Sequence, residues 1–229
     1  MTKAHLKRLA APKEWAIKRK TIKFVIRPKG GLNSGMPLGI IMRDILGYAK
    51  NMREVRTVLR IRDVLVDGVK RTDARFSAGI MSTLSVPEMK EHFRIALGKD
   101  KKLKLIKIKE AESLVKICKI KNKKILKGGK IQLNLHDGSN IICEKPECGV
   151  GDSVMISLPK KEVKSCLKLE KGALIYLTGG EHVGTIGKVE GIDKARLIVK
   201  SEKSVIETMK KFAIVIGTEK PLCTVVENE

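Results

Sequence analysis

The stretch GGEHVGTIGKVEGI, residues 179–192, holds five glycines and a Gly-Lys pair. Such material builds loops whose backbone N–H groups cradle a phosphate. A Walker-type loop requires Gly, four residues, then Gly-Lys-Ser/Thr. Counting back from Gly187-Lys188 places His182 where the first glycine belongs and Val189 where the hydroxyl belongs. The dinucleotide fingerprint also meets His182 in place of a glycine, and β-type alternation follows where both loops need a helix. The glycines therefore read as hairpin material: Gly179 and Gly180 as a turn, Gly184 and Gly187 as points of close backbone approach, either by neighbouring strands or by a polyanion such as RNA.

Other chemistry is equally sparse. His5, His92, His136 and His182 lie in four separate segments, none with a Cys, Ser or carboxylate at motif spacing. His136 precedes Asp137-Gly138 and reads as a turn residue. Five cysteines make an odd count without paired spacing, which fits a reducing interior better than a disulfide framework. Cys143 and Cys148 bracket EKPE, but no second Cys or His pair follows at zinc-ligand spacing. The expectation is no catalytic residue, no metal, no cofactor and no small-molecule substrate.

Charge is the informative property. Lys and Arg number 48 against 25 Asp and Glu, a formal net charge of +23. Residues 1–30 carry ten basic and one acidic residue, residues 99–130 thirteen and three, and residues 131–229 fourteen of each sign. Two segments thus hold +19 of the +23, the footprint of localised polyanion contacts. Aromatic residues are only 3%, so the core must be built from Ile, Leu, Val and Met, and stacking platforms for bases are few. Recognition should rest on phosphates and shape, which favours RNA. The opening residues hold no apolar run long enough for a signal peptide, and no 18 apolar residues run together. A soluble chain in the cytoplasm is expected, without a membrane partner.

The elements that would position these charges follow from periodicity. Residues 1–37 lack a sustained apolar period and read as an extended basic arm ending in RPKGGLNSGMP. Its Trp15 either packs on a partner or anchors the arm. From Pro37 a helix is expected, with Leu38, Ile41, Ile45 and Ala49 on one face. A second helix puts Met52, Val55 and Leu59 on one stripe and Arg53, Arg56 and Arg60 on the stripe beside it. DVLVDGVKR reads as a hairpin about Asp67-Gly68, and GIMSTLSV as a further strand. KKLKLIKIK alternates with a phase slip between Leu105 and Ile106, as a β-bulge would produce. LVKICKIK, IQLNLHDGSNII and DSVMISLP continue as short strands of a small barrel or sandwich, and KGALIYL, LIVK and FAIVIG form a third unit.

Together HLKRLAAPKEW, MPLGIIMRDILGYAK, VLVDGVKRTD, HDGSNI and GGEHVGTIGKVEGI…FAIVIG resemble, in the same order, the small-subunit ribosomal protein family four-e of archaeal and eukaryotic ribosomes. The resemblance implies an α+β multidomain fold: a basic arm (1–37), a small α/β RNA-binding module of the alpha-L type (38–92), a β-rich central domain (93–170), a KOW motif in an SH3-like barrel (171–217) and a tail (218–229). It implies a non-enzymatic constituent that binds small-subunit ribosomal RNA beside neighbouring ribosomal proteins, and that is not a homo-oligomer. The expected contacts are Lys3, His5, Lys7, Arg8, Lys13, Lys18, Arg19 and Lys20 in the arm; Arg43, Arg53, Arg56, Arg60, Lys70, Arg71 and Arg75 in the module; Lys119, Lys121, Lys123 and Lys124 in the central domain; and Lys188, beside the turn glycines Gly179, Gly180, Gly184 and Gly187. Three positions depart from the family's pattern: FSAGIMS has Ala78 before Gly79 and Ser82 after Met81, KGGLNSG replaces a Gly-Pro-His element, and Thr185 replaces a basic residue. Removal of residues 1–30 should weaken RNA binding and leave the fold intact.

Two other classes compete. Alpha-L modules also accompany pseudouridine synthases, which would need a catalytic Asp in a large mixed domain; the aspartates of IRD (Asp63) and RTD (Asp73) fall inside the small module instead. A transcription factor carrying a KOW motif would bind polymerase without RNA.

Overall fold

The computed structural model describes residues 5–144, 147–193, 195–201 and 204–226. The chain divides into two units, residues 1–113 and 114–229.

In the first unit the arm is folded. β1 (His5–Lys7) pairs antiparallel with β2 (Phe24–Ile26), in register from His5 opposite Ile26 to Lys7 opposite Phe24. The intervening loop has no ladder to satisfy its carbonyls, and arginines do so instead. Arg8 is 5% exposed and donates to the carbonyls of Ile22 (3.0 Å) and Lys18 (2.8 Å). Arg19 donates to those of Leu9 and Ala11. Trp15 is buried, and the Glu14 carbonyl accepts the Leu103 N–H at 2.7 Å. Trp15 is thus an anchor, and the arm is an integral layer of the unit rather than an extended tail.

The first expected helix is shorter than its apolar period suggested. α1 (Leu38–Ile40) runs into a π-helical turn (Ile41–Ile45) and stops before Gly47, whose φ of 70° lies in the left-handed region. α2 (Met52–Ile61) forms as expected. The Asn51 side chain caps it, accepting from the Arg53 and Glu54 N–H groups at 3.0 Å, while Glu54 reaches back to accept from the Lys50 N–H. Val55 and Leu59 are fully buried.

β4 (Leu65–Val66) and β5 (Val69–Lys70) form the expected hairpin. Asp67 and Gly68 both take positive φ, the requirement of a tight turn that matches strand twist. β6 (Ser77–Ala78) pairs with β3 (Met36–Pro37). β7 (Thr83–Val86), β8 (Glu91–Leu97) and β9 (Leu103–Lys107) complete a five-stranded sheet in the order β5-β4-β7-β8-β9. Two expectations are corrected here. β8 and β9 belong to this sheet, so the first compact unit runs to residue 113 rather than ending near 92. No bulge interrupts β9: its ladder with β8 is continuous from Phe93–Lys107 to Leu97–Leu103. The phase slip instead marks a strand covered on both faces. Leu103 is buried on one face; Ile106 is buried on the other beside Arg94, whose guanidinium donates to the Glu112 carbonyl on α3 (Glu110–Ser113) at 2.9 Å.

The second unit holds two five-stranded antiparallel sheets. β10 (Val115–Ile125), β11 (Ile131–Leu135), β12 (Asn140–Cys143), β13 (Ser153–Ser157) and β14 (Val163–Leu167) take the order β12-β11-β10-β13-β14. β10 serves two neighbours in turn: Val115–Lys119 face β13, and Ile120–Ile125 face β11 past a bulge between Ile120 and Asn122. Residues from all five strands meet in one core around Cys118, Leu133, Ile141, Val154 and Cys166. Cys148 and Cys166 form a disulfide, against the expectation that the cysteines stay reduced. The bridge takes Cys148 away from the Cys143 with which it was paired as a potential zinc start.

β15 (Leu174–Leu177), β16 (Ile186–Ile192), β17 (Arg196–Lys200), β18 (Val205–Met209) and β19 (Ala213–Gly217) follow in the order β18-β17-β16-β15-β19. Ile175, Val189, Leu197, Ile206 and Val215, one from each strand, share a single core, so the sheet curls on itself. β14 and β18 were not anticipated, because the apolar residues of VKSCL and VIETM do not alternate as a strand's would. The two sheets are tied by buried polar bonds. Lys119 Nζ donates to the carbonyls of Ala213 (2.8 Å) and Lys210, and the Val215 N–H donates to Ser153 Oγ at 2.9 Å.

Candidate nucleic-acid interface

The register of α2 decides which charges reach solvent. With Val55 and Leu59 inward, Arg53, Arg56 and Arg60 are exposed on the neighbouring stripe. Among the described residues no carboxylate lies within ion-pair distance of any of the three. Three bare guanidinium groups within two turns repel one another, an arrangement that an anionic partner relieves.

Arg56 and Arg60 also line a cleft of about 490 Å³, closed by Ile26 of β2 and by Thr72, Asp73, Ala74 and Arg75 of the loop before β6. Arg75 is held there because its Nε donates to the Arg27 carbonyl at 3.0 Å. Asp73 accepts the Arg75 N–H at 2.9 Å and pairs with Lys29 at 2.7 Å. Burial favours the protonated acid, but Lys29 and the Arg75 N–H outweigh it and hold the Asp73 carboxyl below its ordinary range.

The remaining expected residues of this unit divide sharply. His5, Lys7, Lys13, Lys18 and Lys20 are exposed, and the His5 ring meets Phe24 edge-on at 4.8 Å. Lys70 is exposed but paired with Asp63 at 2.5 Å, and Arg71 lies 4.2 Å over the Phe76 ring. Arg43 is bound by two 2.8 Å hydrogen bonds to Asp44, which raise its already high pKa. Arg8 is a correction: its guanidinium is turned inward to close the arm, and it presents no free charge. Arg19 is exposed yet engaged with the same loop. Lys3 lies outside the described residues.

In the second unit the basic run splits within β10. Lys119 is the other correction. It is 7% exposed, faces inward to the carbonyls at residues 210 and 213, and burial together with the neighbouring Lys121 charge lowers its pKa to about 8. Lys116 is 1% exposed on its side chain and pairs with Asp137 at 2.9 Å. Burial would raise the Asp137 pKa, but Lys116 and the Ser139 hydroxyl overcome it and hold the carboxylate far below its ordinary value. Past the bulge, Lys121 and Lys124 are exposed and Lys123 half-buried, and the turn to β11 adds exposed Lys127 and Lys130. The last two were missed, although KNKKILKGGK held five lysines without an acid in plain view. Gly128 and Gly129, both at positive φ, shape this turn.

The opening glycines resolve into separate duties. Gly180 and Gly184 take positive φ as turn residues. A Cβ on Gly179 would meet the Phe212 ring at 2.2 Å, and one on Gly187 would lie 2.6 Å from Val199 and 2.7 Å from the Lys200 carbonyl. The close approach at Gly187 is therefore to β17. Lys188 is exposed on β16. Asp63 and Asp73, the aspartates of the enzyme alternative, are both ion-paired to lysines. No helix among the described residues is long and apolar enough to cross a membrane.

Family models match two parts of the chain: residues 2–31 match the RS4NT (NUC023) domain, and residues 89–163 match the Ribosomal family S4e. Small ribosomal subunit protein eS4 of Methanococcus aeolicus is 41% identical over 235 residues, covering 95% of this chain and 96% of the relative. Its counterpart in Methanocaldococcus jannaschii is 39% identical over 96% of each chain. The crystal structure of the 30S ribosomal protein S4e from Thermoplasma acidophilum matches with a TM-score of 0.69 at 28% identity, covering 80% of this chain and 94% of that one. This mixed, β-rich chain belongs to the eS4 family of small ribosomal subunit proteins.

Proposed function

We propose that the chain binds small-subunit ribosomal RNA through several separate basic surfaces, as a structural component of the particle beside neighbouring ribosomal proteins. The family is a structural, non-enzymatic one. In this reading α1, α2 and the β4–β5 hairpin act as an alpha-L type module, and β15–β19 as an SH3-like barrel carrying the KOW glycines. The observation that carries it is the unpaired stripe of Arg53, Arg56 and Arg60, exposed on a helix whose adjacent face is locked into the core. The Lys121–Lys130 hairpin supports it independently.

The mechanism is electrostatic. Each Lys or Arg seated on a phosphate releases condensed counterions, and six to ten such contacts weaken binding by roughly 10³ to 10⁵ between 50 and 200 mM salt on duplex estimates. Titrating fluorescent small-subunit RNA with the full chain across that range tests the reading. A steep loss of affinity with salt is expected; salt-independent association would overturn it. Sedimentation supplies a second check: the chain should travel with small subunits, and recovery only from the soluble fraction would count against it.

A further inference from the structure

We propose that the cleft between α2 and the Thr72–Arg75 loop is a pocket for one ribonucleotide of the bound RNA, holding its phosphate on Arg56 and Arg60 and its 2′-hydroxyl on Thr72 and Asp73. This deepens the RNA-binding reading and rests on it. Size comes first. At about 490 Å³ the cleft lies within the range of pockets that take a small molecule, about 300–1,000 Å³, enough for one nucleotide.

Its chemistry is divided in the way a nucleotide is divided. One wall carries Arg56 and Arg60, donors only, with no carboxylate partner among the described residues. The other carries the Asp73 carboxylate, an acceptor only, the exposed Thr72 hydroxyl, which has no hydrogen-bond partner among the described residues, and the Arg75 guanidinium, whose Nε is bonded to the Arg27 carbonyl. Asp73 already binds Lys29 and the Arg75 N–H, yet each carboxylate oxygen can accept more than one hydrogen bond. The bare Arg56 and Arg60 guanidinium groups attract a phosphate, to which the Asp73 carboxylate offers no donor. A hydroxyl donor has the opposite preference. Ile26 and Ala74 add apolar surface suited to a sugar or a base face.

Within a polynucleotide the 3′ oxygen is esterified, so the 2′-hydroxyl is the only ribose donor left, and DNA lacks it. The cleft should therefore discriminate RNA from DNA through a single group. Losing one hydrogen bond to a charged acceptor reduces affinity about tenfold.

The test uses the full chain and two fluorescent single strands of the same sequence, one oligoribonucleotide and one 2′-deoxyoligonucleotide, read by anisotropy at fixed low salt. The expected result is roughly tenfold tighter binding of the ribose strand. Thr72→Val should reduce that preference, Thr72→Ser should keep it, and Lys123→Gln/Lys124→Gln should weaken both strands alike and leave the ratio unchanged. Circular dichroism reports folding of each variant; Asp73→Asn, which keeps the side-chain shape, replaces Thr72→Val if that variant is unfolded. Equal affinity for the two strands, or a preference untouched by Thr72→Val or by Asp73→Asn, overturns the pocket while small-subunit RNA remains bound. Failure to bind small-subunit RNA at all overturns the broader reading as well.

Discussion

The two halves of β10 put the same residue to opposite uses. Before the bulge, Lys116 and Lys119 are buried and bonded within the fold; after it, Lys121, Lys123 and Lys124 point outward on a hairpin rich in further lysines. What separates them is only which neighbour the strand faces. The first half is sandwiched beside β13 and the second sheet, the second half pairs with β11 alone at the end of a ribbon. Charge count along a sequence therefore overstates the surface available to a polyanion. The arm repeats the lesson, with Arg8 inside and Lys7 outside.

The comparison can be broken most severely at Lys116. Lys116→Met leaves the half-enclosed Asp137 carboxylate without its ion but with its Ser139 bonds, so stability should fall by about 1–3 kcal/mol, less than for a fully buried pair. Because Asp137 has a depressed pKa in the fold, its contribution is present above the unfolded carboxylate value of about 3.9 and fades as the pH falls. The gap between parent and variant, read from urea midpoints, should narrow steadily in acid. A constant gap would show that the loss came from packing.

Deleting residues 1–30 ranks next. Trp15 and Val25 leave the core with the arm, so cooperative unfolding of the first unit should broaden or vanish, in contrast to the expectation for a loose tail. A sharp, unchanged melt would restore that expectation. On the solvent side of the comparison, Lys121→Gln/Lys124→Gln should leave stability within about 0.5 kcal/mol, since exposed cations contribute little. The same pair should reduce the slope of log affinity against log salt by roughly 0.7–0.9 per lysine. An unchanged slope would remove the hairpin from the interface. Asn51→Ala uncaps α2 and should lower stability by about 1 kcal/mol while loosening the arginine stripe.

How much of this was legible in the residues depends on periodicity. The arginine stripe was readable because a 3,4 spacing fixes a helix face whatever packs against it. The Asp67-Gly68 hairpin was readable because its turn chemistry is local. The inward lysines were not, since what buries Lys119 is backbone near residues 210 and 213, and no local pattern reports a carbonyl ninety residues away. The extent of the first sheet failed for the same reason: Ile106 is buried beside Arg94 of β8, which reaches α3, and this disguised a regular strand as a bulged one. The cleft drew two of its arginines from a legible helix, but its Thr72 and Ile26 are neighbours only in the fold.

The ties from Lys119 to the carbonyls of Lys210 and Ala213 also have a consequence for synthesis. A ribosome delivers the chain from its amino end, and β10 emerges long before β19. Until the last strand arrives, the Lys119 ammonium has neither of its acceptors, and the Ser153 hydroxyl has not received the Val215 amide. The first sheet of the second unit is thus left open toward its late partner, and its final closure is timed by the emergence of β19 rather than by its own translation.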